Sequence, residues 1–125
     1  MEPPKPYQIE IIPRTDILNY TVSGYVNTED DFHQFIRDVN VIILQSGHIK
    51  VLADCRNLEG FRPGALGAIK VVERDFLPEV RGRRIAVIER EENIGNMIHR
   101  EIVASNRGYI LKYFTNSEEA EAWLK

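Results

Sequence analysis

Tyr7, Ile9 and Ile11 alternate with Gln8 and Glu10, the two-residue period of a strand buried on one face. "PRTD" at 13–16 supplies a turn, after which Leu18, Tyr20 and Val22 alternate with Asn19, Thr21 and Ser23, so the chain opens on a β-hairpin. Gly24 marks a bulge or the end of that second strand. The period then changes to a helical one. Phe32, Phe35, Ile36, Val39 and Ile43 form one stripe behind Thr28, a hydroxyl placed to cap free amides, with Glu29, Asp30 and Asp31 at the positive end of the helix dipole. The β-branched run "VNVIIL" suits a strand as well, but Gly47 is a natural helix stop and "IKVLADC" beyond it is the better strand, so the helix is predicted to run to about Gln45.

"IKVLADC" at 49–55 and "RRIAVIE" at 83–89 are apolar at positions facing both ways, as central strands covered on two faces must be. Between them a helix is predicted from Pro63 to Pro78, with Leu66, Ile69, Val72 and Phe76 as its buried stripe. Another runs from about Ile94 to Arg107, with Ile94, Met97, Ile98 and Ile102 on one face and Gly108 as its stop. "YILKYF" is the last strand. "TNSEEAEAWLK" then holds capping residues, Glu118 and Glu119 in a first turn, and Ala120, Trp123 and Leu124 on one face of a short terminal helix. The expected fold is α/β: a mixed, mostly parallel sheet opened by a β-hairpin, with helices packed on it. No repeat or linker divides the chain, so residues 1–125 are expected to form a single domain with a proline-rich extension at 1–6.

Composition agrees with one compact domain: 125 residues, 43% of them hydrophobic, enough for a single core. Acidic and basic residues are interspersed and the formal net charge is −3, which gives no global drive toward nucleic acid or an anionic membrane. Arg81-Gly82-Arg83-Arg84, the densest basic stretch, reads as a solvated connection before a strand. A lone cysteine, Cys55, excludes an intrachain disulfide and a cysteine-based zinc cluster, and points to a reducing compartment. "MEPPKPYQIE" lacks the apolar core of a signal peptide, and no stretch approaches the ~18 uninterrupted apolar residues of a membrane span, so a cytoplasmic location is expected.

Several chemistries lose their usual signatures. The chain has no Walker P-loop, no Gly-x-Ser-x-Gly elbow and no His-Glu-x-x-His helix. Gly60, Gly64 and Gly67 follow a strand at a spacing superficially like that of short-chain dehydrogenases, but a hairpin and a helix precede them and no Tyr-x-x-x-Lys pair accompanies them. His33, His48 and His99 are scattered and read as surface or boundary residues. Cys55 beside Arg56 could be partly activated, yet a small apolar core residue next to Asp54 is the stronger account, with Asp54 and Arg56 as a local ion pair. At Arg62-Pro63-Gly64-Ala65, a helix begun by Pro63 would leave the amides of Gly64, Ala65 and Leu66 free beside Arg62, a place for a small anion or an acidic side chain.

The order of elements, with "VLADCRNLEGFRPGALGAI" in the middle and "YFTNSEEAEAWL" at the end, resembles the small STAS domains. The likeness is to their SpoIIAA-like (STAS/SEC14-type) branch of small stand-alone bacterial proteins, and it spans about Tyr7 to Leu124. The resemblance implies a cofactor-free α/β module acting through protein contacts or a small apolar ligand. Phosphoswitch members resemble Asp-Ser-Ser-Gly-Leu where this chain reads Arg62-Pro63-Gly64-Ala65-Leu66, and no Ser, Thr or Tyr occurs from Arg56 to Ile69. Charge added by a kinase therefore has no acceptor in this loop. The expectation is a non-enzymatic interaction or regulatory module, self-associating as a dimer or binding a protein partner. Its contact would be the loop 56–64, with Phe61 as anchor and Glu59 and Arg62 as polar rim; Asp54, Arg56, Gly64 and Ala65 complete the candidate set. The alternative is a carrier or sensor of a small apolar or anionic ligand, with the helix from Pro63 covering a cavity.

Overall fold

The computed structural model describes residues 6–125, so the expected proline-rich extension lies outside the described residues except for Pro6. Strands β1 (Tyr7–Ile12) and β2 (Leu18–Val26) form the antiparallel hairpin that the alternating pattern predicts. Helix α1 (Glu29–Ser46) follows, then β3 (Lys50–Gly60), α2 (Ala65–Asp75), a 3-10 turn (Pro78–Gly82), β4 (Arg84–Ile88), α3 (Glu91–Asn106), β5 (Ile110–Phe114) and α4 (Ser117–Leu124). The five strands lie in the order β1-β2-β3-β4-β5, with every pair after the hairpin parallel. This is the expected mixed sheet.

Strand alternation divides the apolar residues between two cores. Val51, Ala53, Cys55, Ile85 and Val87 face the larger one, shared with Phe32, Phe35 and Val39 of α1 and Met97 and Ala104 of α3. Leu52, Ala86 and Ile88 face the smaller one, closed by Ala120 and Leu124 of α4. The two central strands are thus apolar on both faces because helices cover both. The helix ends follow their local chemistry: Thr28 Oγ1 accepts from the Asp31 N–H at 3.1 Å, Asn116 Oδ1 accepts from the Glu119 N–H at 2.9 Å, and Gly47 closes α1 at φ +72°.

Four expectations are corrected. Helix α2 begins at Ala65 rather than Pro63 and buries Ala68, Val71, Val72 and Asp75, leaving Leu66 79% and Ile69 37% exposed. The apolar stripe misled because the buried face includes a carboxylate. Asp75 is sequestered with His33 of α1, whose Nδ1 meets Asp75 Oδ2, while Arg37 donates to Asp75 Oδ1 at 2.9 Å. His33 is therefore buried and hydrogen-bonded rather than a boundary residue. Helix α3 starts at Glu91, before the expected Ile94, and turns Ile102 outward while Arg100 is buried. In the basic stretch, Arg81 and Gly82 are exposed as expected, but Arg84 donates to the Trp123 carbonyl at 2.7 Å and stacks over that indole at 4.3 Å.

Candidate functional site

The candidate residues gather at the carboxyl ends of β3 and β4. Residues 57–60, expected in a loop, continue β3, because β2 runs past a register shift between Thr21 and Ser23 to Val26 and gives them a parallel partner. The strand ends at Gly60, at φ +104°, where a Cβ would lie 2.2 Å from the Val26 carbonyl oxygen. Only glycine turns the chain there. The Phe61 N–H then donates to that same carbonyl at 2.8 Å, and the chain leaves the sheet.

Asp54 and Arg56 form the expected local pair. The guanidinium donates to the Asp54 carboxylate at 3.0 and 2.7 Å, and the Arg56 N–H adds a bond at 3.1 Å. Burial opposes ionisation of Asp54, but these bonds outweigh it and hold the carboxyl below its ordinary pKa. Between them Cys55 points into the larger core, where burial first and the Glu89 charge second push its thiol up to about 12. Such a thiol stays protonated and unreactive at neutral pH.

Arg62 corrects the expected rim. It is only 8% exposed, and its guanidinium turns inward to Glu89 Oε2 at 3.1 Å and the Leu58 carbonyl at 2.7 Å. Glu89, 1% exposed at the end of β4, also accepts from the Arg90 N–H at 3.1 Å and Asn93 Nδ2 at 3.3 Å. The pair is thus desolvated but surrounded by partners, the condition under which buried opposite charges hold. Arg62 consequently does not flank the start of α2. That helix has Gly64 at its N-cap and so no side-chain cap, and buried Pro63 precedes it, tucked against Gly67, where a Cβ would lie 2.5 Å from the Pro63 Cβ.

Glu59 is paired instead with Arg90, a residue that the sequence pattern does not single out. Arg90 grips Glu59 with two bonds at 2.8 and 2.9 Å, and those bonds hold the Glu59 carboxyl below its usual range. Phe61 is 37% exposed, with its ring edge-on to Phe32 at 6.4 Å between centroids. Gly64, Ala65, Leu66 and Ile69 are exposed beside it in sequence. Glu89 and Arg90 were missed because they read as a strand end; the signal available was a glutamate directly after an uninterrupted apolar run.

A five-stranded sheet entered by a hairpin, continued by parallel crossovers and covered by helices on both faces defines an α/β domain of the STAS type. The model of the SpoIIAA-like family matches residues 17–125, and the chain belongs to that family. Among solved structures it is similar to an anti-sigma factor antagonist from Mycobacterium paratuberculosis, with a TM-score of 0.61 and 11% identity over 99% of this chain and 98% of that one. It is also similar to an uncharacterised protein with a SpoIIAA-like fold from Shewanella loihica, with a TM-score of 0.55 and 19% identity over 100% and 98% of the two chains. No curated protein sequence matches significantly. Among the described residues, no helix is long and apolar enough to cross a membrane.

Proposed function

We propose that the chain is a non-enzymatic STAS-like interaction module, and that residues 61–69 seat a second copy of the same chain. The observation that carries this reading is the uncharged, apolar character of the segment. Leu66 is 79% exposed and Phe61 and Ile69 are each 37% exposed, while the one charged side chain, Arg62, directs its charge inward to Glu89. A twofold contact brings such a patch onto its own copy, and a patch without free charge meets itself without like-charge repulsion. Phe61, braced by Phe32, is the anchor, and the pairs Glu59–Arg90 and Asp54–Arg56 are the polar rim. Likeness in fold to an anti-sigma factor antagonist supports a regulatory role. With no hydroxyl from Arg56 to Ile69, control of this surface works through association rather than phosphorylation of the loop.

Sedimentation equilibrium over rising protein concentration tests the reading. The wild type is expected to dimerise, and Leu66→Asp to weaken association at least about tenfold, the effect of losing an interface hot spot. Leu66 is exposed enough that the substitution leaves the fold intact. A wild type that stays monomeric at every concentration, or a Leu66→Asp protein that associates as well as the wild type, overturns it.

A further inference from the structure

A second place in the molecule, independent of the contact at residues 61–69, carries an unanswered charge. Arg100 of α3 is 5% exposed. Its Nε donates to the Tyr113 hydroxyl and its Nη2 to the Met97 sulfur at 3.3 Å, while the guanidinium carbon lies 4.9 Å from the Phe32 ring centre. These partners are neutral. Nη1 is buried and finds no acceptor among the described residues. The nearby carboxylates are engaged elsewhere: Glu89 holds Arg62, and Glu101 accepts from the Tyr113 N–H at 2.9 Å. Since a guanidinium does not lose its proton in a protein, the positive charge persists, and its withdrawal from water is costly until an anion answers it.

The same arginine lines a cavity of about 40 Å³ inside the larger core. Tyr20 and Tyr113 stand with Arg100 in its wall, and both phenols are kept protonated, chiefly by burial, so both can donate. The rest of the wall is mainly apolar, including Phe35, Val39, Ile43 and Leu111. Helix α2 contributes only Phe76, at its carboxyl-terminal cap, so the expected roof of Leu66, Ile69 and Val72 is not part of this chamber.

We infer that the cavity binds a small monocarboxylate, of acetate size, with its carboxylate on Arg100 Nη1 and its methyl group against the apolar wall. The charge selects a monoanion, because one positive charge is left over. The wall selects an apolar body over a hydrated inorganic ion. The volume sets the size: at ~10–15 Å³ for each water-sized sphere, it admits about three or four non-hydrogen atoms.

Titration calorimetry on the intact protein with sodium acetate and decanoate, and with acetamide and sodium chloride as controls, tests this. Acetate is expected to bind with one site, acetamide and chloride at least tenfold more weakly, and Arg100→Met to abolish the carboxylate signal. Chloride binding as well as acetate would make this a halide site and overturn the proposal. Equal binding of acetamide would remove the role of the charge, and tighter binding of decanoate would remove the size limit. The ligand series on the wild type decides these points even if the variant fails to fold.

Discussion

Arg62 and Arg100 are both guanidiniums withdrawn from water, yet they end in opposite situations. Arg62 reaches across from the end of β3 to Glu89 at the end of β4, and the carboxylate it meets is itself held by Arg90 and Asn93. Arg100 reaches into the core from α3 and meets a phenol, a thioether and aromatic faces. The first arrangement neutralises a charge inside the protein and leaves the segment 61–69 apolar outside. The second exports the need for an anion. A buried cation alone says little about role; what distinguishes structure from site is whether the chain supplies the opposite charge.

The largest effect is expected from breaking the closed pair. Glu89→Ala leaves Arg62 buried without its carboxylate and should cost about 3–5 kcal/mol in urea unfolding. The double replacement Arg62→Met with Glu89→Leu should recover most of that loss, because the penalty is the orphaned charge rather than the absence of an attraction. A Glu89→Ala protein as stable as the wild type would erase the distinction between the two arginines.

The smallest effect belongs to Asp54 and Arg56, a pair on one strand in which Asp54 is half-buried and Arg56 exposed. Asp54→Asn should cost under about 1 kcal/mol at neutral pH, since Arg56 remains solvated when its partner's charge is removed. The sign of its pH dependence is fixed by the depressed carboxyl pKa. The pair's contribution is present above the ordinary carboxylate range and is lost as pH falls through the lowered value. Comparing acid unfolding of wild type and Asp54→Asn checks this; a large neutral-pH loss would show that exposure is the wrong criterion for separating the pairs.

These contrasts also explain what could be read from the chain. Asp54 and Arg56 are two residues apart, so their pairing is local and was legible. The hairpin and the parallel strands were legible for a related reason, since period-two and two-faced apolar runs are written in consecutive residues. Arg62 and Glu89 are separated by 27 positions, and their pairing depends on β3 and β4 lying side by side in register. His33 and Asp75 are likewise joined only when α1 packs against α2. The expected stripe of α2 holds at Val72 and Phe76, which are buried, and fails at Leu66 and Ile69 for that reason: Asp75 counts as a surface residue until its partner is known, and Leu66 counts as core until the helix's rotation is fixed. The continuation of β3 to Gly60 was hidden because Asn57 and Glu59 look like loop residues unless β2 is known to extend beside them.

The difference between the two arginines is tested most directly by urea unfolding of wild type and Arg100→Met, each with and without saturating acetate at constant ionic strength. The account predicts that acetate raises the wild-type midpoint and leaves the Arg100→Met midpoint unchanged, as binding to the folded state alone requires. It predicts also that, without acetate, Arg100→Met is at least as stable as the wild type, because the unanswered charge is gone. Equal shifts in both proteins, or no shift in the wild type, would contradict it.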